Sequence, residues 1–286
     1  MATITRLTAQ DVVNAVAEMP AMPASITAVI SACDDQDMTV GQLSQVILRD
    51  QSLTANILRL ANSSFYGHSR RVTTITEAVV LLGFSAIKSL AISSHTARLL
   101  SGELAGYGLQ QGELWHHSIA VAFTARRLAI EVRLAPVEEA FVVGLLHDIG
   151  KTILSRHMEH AFEEVTRIAQ ERRTPFHEVE AELLGFDHAE LGAQVAAAWN
   201  FPPELEEAIR FHHAPQGATI KPALAHCIHL ADAACMMLGV GLGADGLMYG
   251  IDPDSLVALD ITPERLIGLM DDIGPLVSGG DPMGLG

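Results

Sequence analysis

Aromatic residues are scarce in this chain, at 5% of its length, and basic residues are outnumbered, 18 Lys and Arg against 34 Asp and Glu. The formal net charge of −16 excludes the basic face that nucleic-acid binding requires, so no DNA or RNA partner is expected. Its three cysteines, Cys33, Cys227 and Cys235, form no CxxC pair and no even framework. They fit the reduced, buried thiols of a cytoplasmic protein. The N-terminus lacks the charged-then-apolar pattern of a signal peptide. No uninterrupted apolar run approaches the roughly 20 residues that cross a bilayer, so no membrane association is expected.

What is abundant is Ala, Leu, Val and Ile, within an apolar fraction of 49%. Ala and Leu head the helix-propensity order, and helical periodicity dominates while strand-like alternation is hard to find. The expected fold is all-α. Thr39-Val-Gly-Gln42 and Thr74-Ile-Thr-Glu77 read as capping boxes, and Gly83 suits the residue that closes the second short helix. Helices are predicted over residues 53–62 and 84–100, with a polar connector at 62–71. Beyond a Gly-rich boundary at 101–112, further helices are predicted over 113–133, 136–149, 158–173, 175–184, 187–199, 203–212 and 222–238. Residues 239–286 read as a tail of weaker structure, with short amphipathic pieces near Leu256 and Leu266.

Thirteen histidines stand out in so acidic a chain. A lone histidine is most often a surface or satisfied core residue, so the informative signal is a set able to converge. Gly144-Leu-Leu-His147-Asp148-Ile-Gly-Lys151 places an imidazole and a carboxylate directly after an apolar helical run. A buried carboxylate is costly unless compensated. Two arrangements would compensate it: a hydrogen-bonded His–Asp pair, or a metal, for which imidazole and carboxylate suit Zn, Fe, Mn and similar ions. Four further elements bear on that choice: Trp115-His-His117-Ser, Gly185-Phe-Asp-His188, Phe211-His212-His213, and His229-Leu-Ala-Asp232 within an apolar helix.

The ordered series H…HD…H…HH…D resembles the HD superfamily of metal-dependent phosphohydrolases, and within it the HDOD (HD-related output domain) family. Met19-Pro-Ala-Met-Pro-Ala24 resembles that family's opening Pro motif. Leu53-Thr-Ala-Asn-Ile-Leu-Arg-Leu-Ala-Asn-Ser-Ser-Phe-Tyr-Gly67 resembles its signature N-terminal helix, and Thr76-Glu-Ala-Val-Val-Leu-Leu-Gly83 follows in order. The similarity spans roughly residues 15–235. It implies an N-terminal multi-helix subdomain (8–105), an HD-type helical bundle (106–240) and a C-terminal tail (241–286).

The resemblance also implies a divalent metal, mono- or binuclear (Fe, Mn, Zn or Mg), held by His117, His147, Asp148, His188, His212, His213 and Asp232. Asp148 would bridge, and His117 rather than His116 matches the His-Ser…Val-Ala run. In a catalytic member Asp148 and Lys151 would serve hydrolysis, Lys151 lying near substrate phosphate; the plain alternative for Lys151 is a solvated helix-end lysine. The Gly-Tyr-Pro motif of related cyclic-dinucleotide phosphodiesterases is missing after the double histidine, where Ala-Pro-Gln-Gly-Ala218 stands. That departure argues against cyclic di-GMP as substrate.

The function implied is therefore a bacterial signal-transduction output module, with an active metal-dependent phosphohydrolase or phosphodiesterase as the alternative. With no receiver or sensor domain attached, such a module would act in trans on a protein partner. A phosphoester or nucleotide is the small ligand compatible with the family. Asp-Pro usually precedes the signature helix; Asp50-Gln51 stands here, which should alter one turn only. His226 shares a face with His229 and Asp232 but falls outside the family run. His68, His95, His157, His160 and His177 are expected to be solvated, and Trp199 to belong to the core.

Overall fold

Four of the first five helices begin at a short polar side chain that bonds the backbone of the opening turn. Helix α1 (Ala9–Glu18) is closed by a reciprocal Thr8–Asp11 box, and α3 (Val40–Leu48) by Thr39 and Gln42. Gln42 donates its N–H to the Thr39 hydroxyl at 3.3 Å and its amide oxygen accepts the Thr39 N–H at 2.9 Å. Two orphan donors of the first turn are thereby satisfied. Between them lies α2 (Ala24–Asp34). Asp50 takes over the start of α4 (Gln51–Ala61), accepting the Leu53 N–H at 3.0 Å, so the missing proline changes the cap and not the helix. Thr74 caps α5 (Ile75–Leu100), but the Glu77 carboxylate accepts from Thr73, one residue earlier than a closed box requires.

The structure is a computed structural model and describes residues 6–63, 65–66, 71–158, 162–240 and 250–277. Much of the connector at 64 and 67–70, together with His68 and His160, lies outside the described residues. At its ends, Asn62 grips the Val72 backbone at both N–H and C=O, each at 2.8 Å.

Helix α5 corrects one expectation. Its span reaches the length and mean hydropathy (1.7) of a membrane-crossing segment, a property hidden by the Ser, Thr and Gly residues that interrupt its apolar runs. Gly83, at φ 81°, breaks it into two helical pieces. The second piece is buried along most of its length, with α2, α3 and α4 packed against α5 and α7 (Val137–Leu146) behind it. Its apolar character is that of a core helix.

The second half is built around α6 (Glu113–Glu131), which packs on α7 and on α13 (Pro222–Met237). Gly144 permits the α6–α7 approach: a Cβ there would lie 2.8 Å from the Ala122 Cα. Helices α8 (Lys151–Met158), α9 (Phe162–Arg172), α10 (Phe176–Leu184), α11 (His188–Ala198) and α12 (Pro203–Arg210) follow, and among the described residues there is no strand. The helix predicted over 136–149 ends at Leu146. Residues 147–150 form a turn because Gly150 is pressed against α11, where a Cβ would sit 2.0 Å from the His188 carbonyl oxygen. The helix predicted over 158–173 corresponds to α9, and α8 occupies residues 151–158, where no separate helix was predicted.

The tail is also more integrated than expected. Helices α14 (Pro253–Ala258) and α15 (Pro263–Val277) pack on α13 and α6, and Leu259, Ile261, Leu266, Leu269 and Ile273 join the main core. At roughly 25 cal/mol per Å² of apolar surface, each such side chain contributes about 1.5–3 kcal/mol relative to exposure.

Gly150→Ala should lower the unfolding free energy by about 3 kcal/mol, at the upper end for overpacking, since the obstacle is backbone. Gly41→Ala, where a Cβ meets nothing within 4 Å, should leave it no lower. Urea denaturation followed by circular dichroism measures both.

Candidate metal centre

Five separate stretches of chain deliver polar side chains to one point beneath α6 and α13. His117 comes from the second turn of α6, and His147 and Asp148 from the turn after α7. Lys151 opens α8, and His188 is the first residue of α11, capped by Asp187. His212 and His213 follow α12, and Asp232 lies mid-way along α13. Backbone bonds from Ile149 to Leu146 and from Lys151 to Asp148, both 3.0 Å, hold the 147–150 turn. It turns His147 and Asp148 inward together. All of these side chains except half-buried His213 belong to residues no more than 3% exposed.

Asp148 is the hub. Its Oδ2 lies 2.7 Å from the Lys151 ammonium, 3.3 Å from His147 Nε2 and 3.6 Å from His117 Nε2. Its Oδ1 lies 3.2 Å from His188 Nε2 and 4.0 Å from His212 Nε2. Asp232 Oδ1 faces His117 Nε2 at 3.1 Å and His147 Nε2 at 3.7 Å. His213 and His188 meet through their Nε2 atoms at 2.8 Å. The sets His117–His147–Asp148, His147–His212–Asp232 and His188–His212–His213 each bring three donor atoms within 4.8 Å of one another and could hold a metal.

The outward ring nitrogens decide how the inward ones behave. His117 Nδ1 meets the Val240 carbonyl at 3.0 Å, His147 Nδ1 that of Gly144 at 2.7 Å, and His212 Nδ1 that of Ile209 at 2.7 Å. A carbonyl only accepts, so each Nδ1 carries the proton. The neutral tautomer then presents its Nε2 lone pair to the centre, the form a metal takes. Nε2 of His117 and of His147, and Oδ1 of Asp232, are buried without a well-formed hydrogen bond even though they face one another. Unsatisfied buried donors and acceptors are expensive, and this set fits a cation.

Charge is arranged to match. Burial alone would raise the Asp148 carboxyl, but the facing His147 ring, the Lys151 ammonium and the contact with His188 hold it well below its usual range. Burial would likewise lower His188; the Glu180 carboxylate, with bonds to Asp148 and Glu180, instead raises it to about 10. His117 is raised against burial by its contact with Asp232. His212 and His213 are pushed well below the usual imidazole value by burial and by the neighbouring histidines.

The HDOD domain model matches residues 19–215. The chain belongs to the HDOD family. An HDOD protein of unknown function from Geobacter sulfurreducens has the same fold, with a TM-score of 0.73 and 25% identity over 95% of this chain and 88% of that one. A Shewanella amazonensis protein provisionally named a phosphohydrolase gives 0.70 and 27% over 96% of each chain. A Treponema pallidum protein is 26% identical over 206 residues, 72% of this chain. That stretch is only 39% of the Treponema protein, so the HDOD chain matches well under half of a longer relative.

All seven residues expected at a metal, and Lys151, meet in this HDOD chain. Lys151 is not a solvated helix-end lysine: it begins α8 and is buried against Asp148, with its ammonium 5.5 Å from the Tyr107 ring centre. Two histidines expected to be solvated are not. His95 is buried on α5 beside Trp199, and His177 stacks on His213 with ring centres 4.1 Å apart. His226 meets Ser255 at 2.8 Å, and His229 links the His212 carbonyl to the Asp252 N–H; both serve tail attachment.

Sequence reasoning missed Glu180, which accepts from His188 Nδ1 at 2.7 Å and from Tyr107 Oη at 2.7 Å. The available signal was its spacing: Phe176, Glu180 and Leu184 share one helical stripe, which puts a carboxylate on a buried face.

His188 has its folded-state value raised above the ordinary imidazole 6.5 to about 10. Its contribution to stability is therefore complete below about pH 6.5 and lost as pH rises through about 10. A metal takes the neutral ring, so metal affinity should increase from pH 6 to 9 with proton release on binding. Calorimetry in buffers of different ionisation enthalpy measures that release; its absence would show that His188 is not an imidazolium in the metal-free protein.

Proposed function

We propose that this chain is a bacterial, cytoplasmic signal-transduction output module of HDOD type. In this reading, residues 106–240 hold a divalent metal and the N-terminal helices (8–105), with the packed tail, supply surface to a protein partner. The ligands are His117, His147, Asp148, Asp232, His188, His212 and His213. The observation that carries the reading is the cluster of buried, mutually facing Nε2 and carboxylate atoms, with the rings of His117, His147, His188 and His212 each fixed by a carbonyl or carboxylate behind it. Depth supports a regulatory role: Asp148 is 1% exposed and Lys151 3%, which suits a structural or switching metal better than one that meets a phosphoester. The metal would be Fe, Mn, Zn or Mg, and a nucleotide or phosphoester is the small ligand compatible with it.

A second reading is a working phosphohydrolase. Lys151 at 2.7 Å from Asp148 favours it, as does the likeness to the Shewanella protein. A bound divalent ion supplies Lewis acidity and lowers the pKa of a water. Asp148 and Asp232 would hold that charge, and Lys151 would fix Asp148 while standing ready for a phosphoryl oxygen.

Metal analysis of the purified protein should give a near-integral stoichiometry that falls at least tenfold in His147→Ala; a value near zero, unchanged by that substitution, would remove the metal. A panel of phosphoesters and cyclic dinucleotides with added Mn or Fe should show no turnover. Turnover abolished by Asp148→Ala would replace the regulatory reading with the hydrolytic one.

A further inference from the structure

Four of the histidines at the centre are braced from behind, and one is braced differently. His117, His147 and His212 rest on backbone carbonyls, which carry only partial charge. His188 rests on a full carboxylate, and on one that is wholly buried. The same Glu180 oxygen, Oε2, accepts the His188 ring Nδ1 at 2.7 Å and the His188 backbone N–H at 3.0 Å. Ring and main chain are thus fixed together at the first residue of α11. The other oxygen, Oε1, accepts the hydroxyl of Tyr107, a fully buried side chain, at 2.7 Å. Three donors leave the carboxylate little freedom.

The chain is folded to make this contact. Gly185 ends α10 in the left-handed region, at φ 92°, so that α11 turns back and places His188 against Glu180, eight residues earlier. Any side chain at Gly185 would be strained there. A carboxylate has no reason to be buried on the apolar stripe of α10 for packing alone, since removing it from water is costly.

We infer that Glu180, oriented by Tyr107, is the positioning residue of the metal site, resting on the metal-binding reading above. It fixes the direction of His188 Nε2 and supplies negative charge that stabilises the ring once a cation occupies that nitrogen. A carboxylate behind a ligating imidazole makes the ring a stronger donor, and losing such a partner weakens metal binding about 10–100-fold.

The test titrates metal-free protein with Co²⁺, following visible absorption, for the full chain and three variants. Glu180→Gln keeps the size of the side chain and one accepting oxygen. Its Co²⁺ dissociation constant should rise about 10–100-fold, with a changed band shape at saturation. Tyr107→Phe should raise it less, and Glu178→Gln, an exposed residue on the same helix, not at all. Equal Co²⁺ affinity in Glu180→Gln and the unaltered chain overturns the inference. So does a lowered melting temperature of the metal-free variant with unchanged affinity and spectrum, which would make Glu180 a fold residue only. An unaltered chain that binds no Co²⁺ overturns the metal reading itself, which separates the two failures.

Discussion

A carboxylate removed from water has to be answered by nearly everything around it, and Asp148 is that carboxylate here. Isolated in a low-dielectric interior, an ionised carboxyl is costly by several kcal/mol. Lys151 and three histidines within 3.6 Å of its oxygens offset that cost. Those partners arrive from α6, the turn after α7, the start of α8 and the start of α11. The relative placement of four elements is therefore tied to one side chain. This explains why glycine stands at Gly144 and Gly150, where helices carrying these groups come closer than any Cβ allows.

The same electrostatics bear on how many cations the cluster accepts. One divalent ion would set its charge against the Asp148 and Asp232 carboxylates. A second would add two positive charges next to the Lys151 ammonium, in a site with almost no contact with water. Repulsion of that kind is strong at low dielectric, and only an added anion would relieve it. If the cluster holds metal as proposed, charge balance favours a mononuclear site, and a binuclear one would go with a bound hydroxide or oxyanion.

Much of this was legible in the chain, because helix signals are local. Thr39 and Gln42 cap as their spacing predicts, and Gly83 breaks the helix where a left-handed residue was expected. The residues that converge on Asp148 were legible as an ordered series, since each motif keeps its neighbours. What escaped depends on packing between distant segments. The helix through Ile149 stops at Leu146 because α11 presses on Gly150, a contact no local pattern encodes. His177 reads as solvated until His213 is seen stacked on it. Glu180 sits in a helix with Glu178 and Glu182, and only its position on the apolar stripe separates it from them.

The tail shows why the boundary of a family match is not the boundary of a site. The HDOD match ends at residue 215, yet Asp232 lies beyond it and faces two of the histidines. The Val240 carbonyl fixes the tautomer of His117, and the Asp252 N–H meets the ring of His229, whose other nitrogen holds the His212 carbonyl. Both ligand-bearing segments are thus braced by chain that follows α13. Because α14 and α15 also bury apolar side chains against α6 and α13, displacing the tail would remove core packing and loosen two histidines in one event. Were the cluster to bind metal as proposed, the linkage would be reciprocal: whatever favours the docked tail would favour the metal, and the metal would favour the docked tail to the same degree.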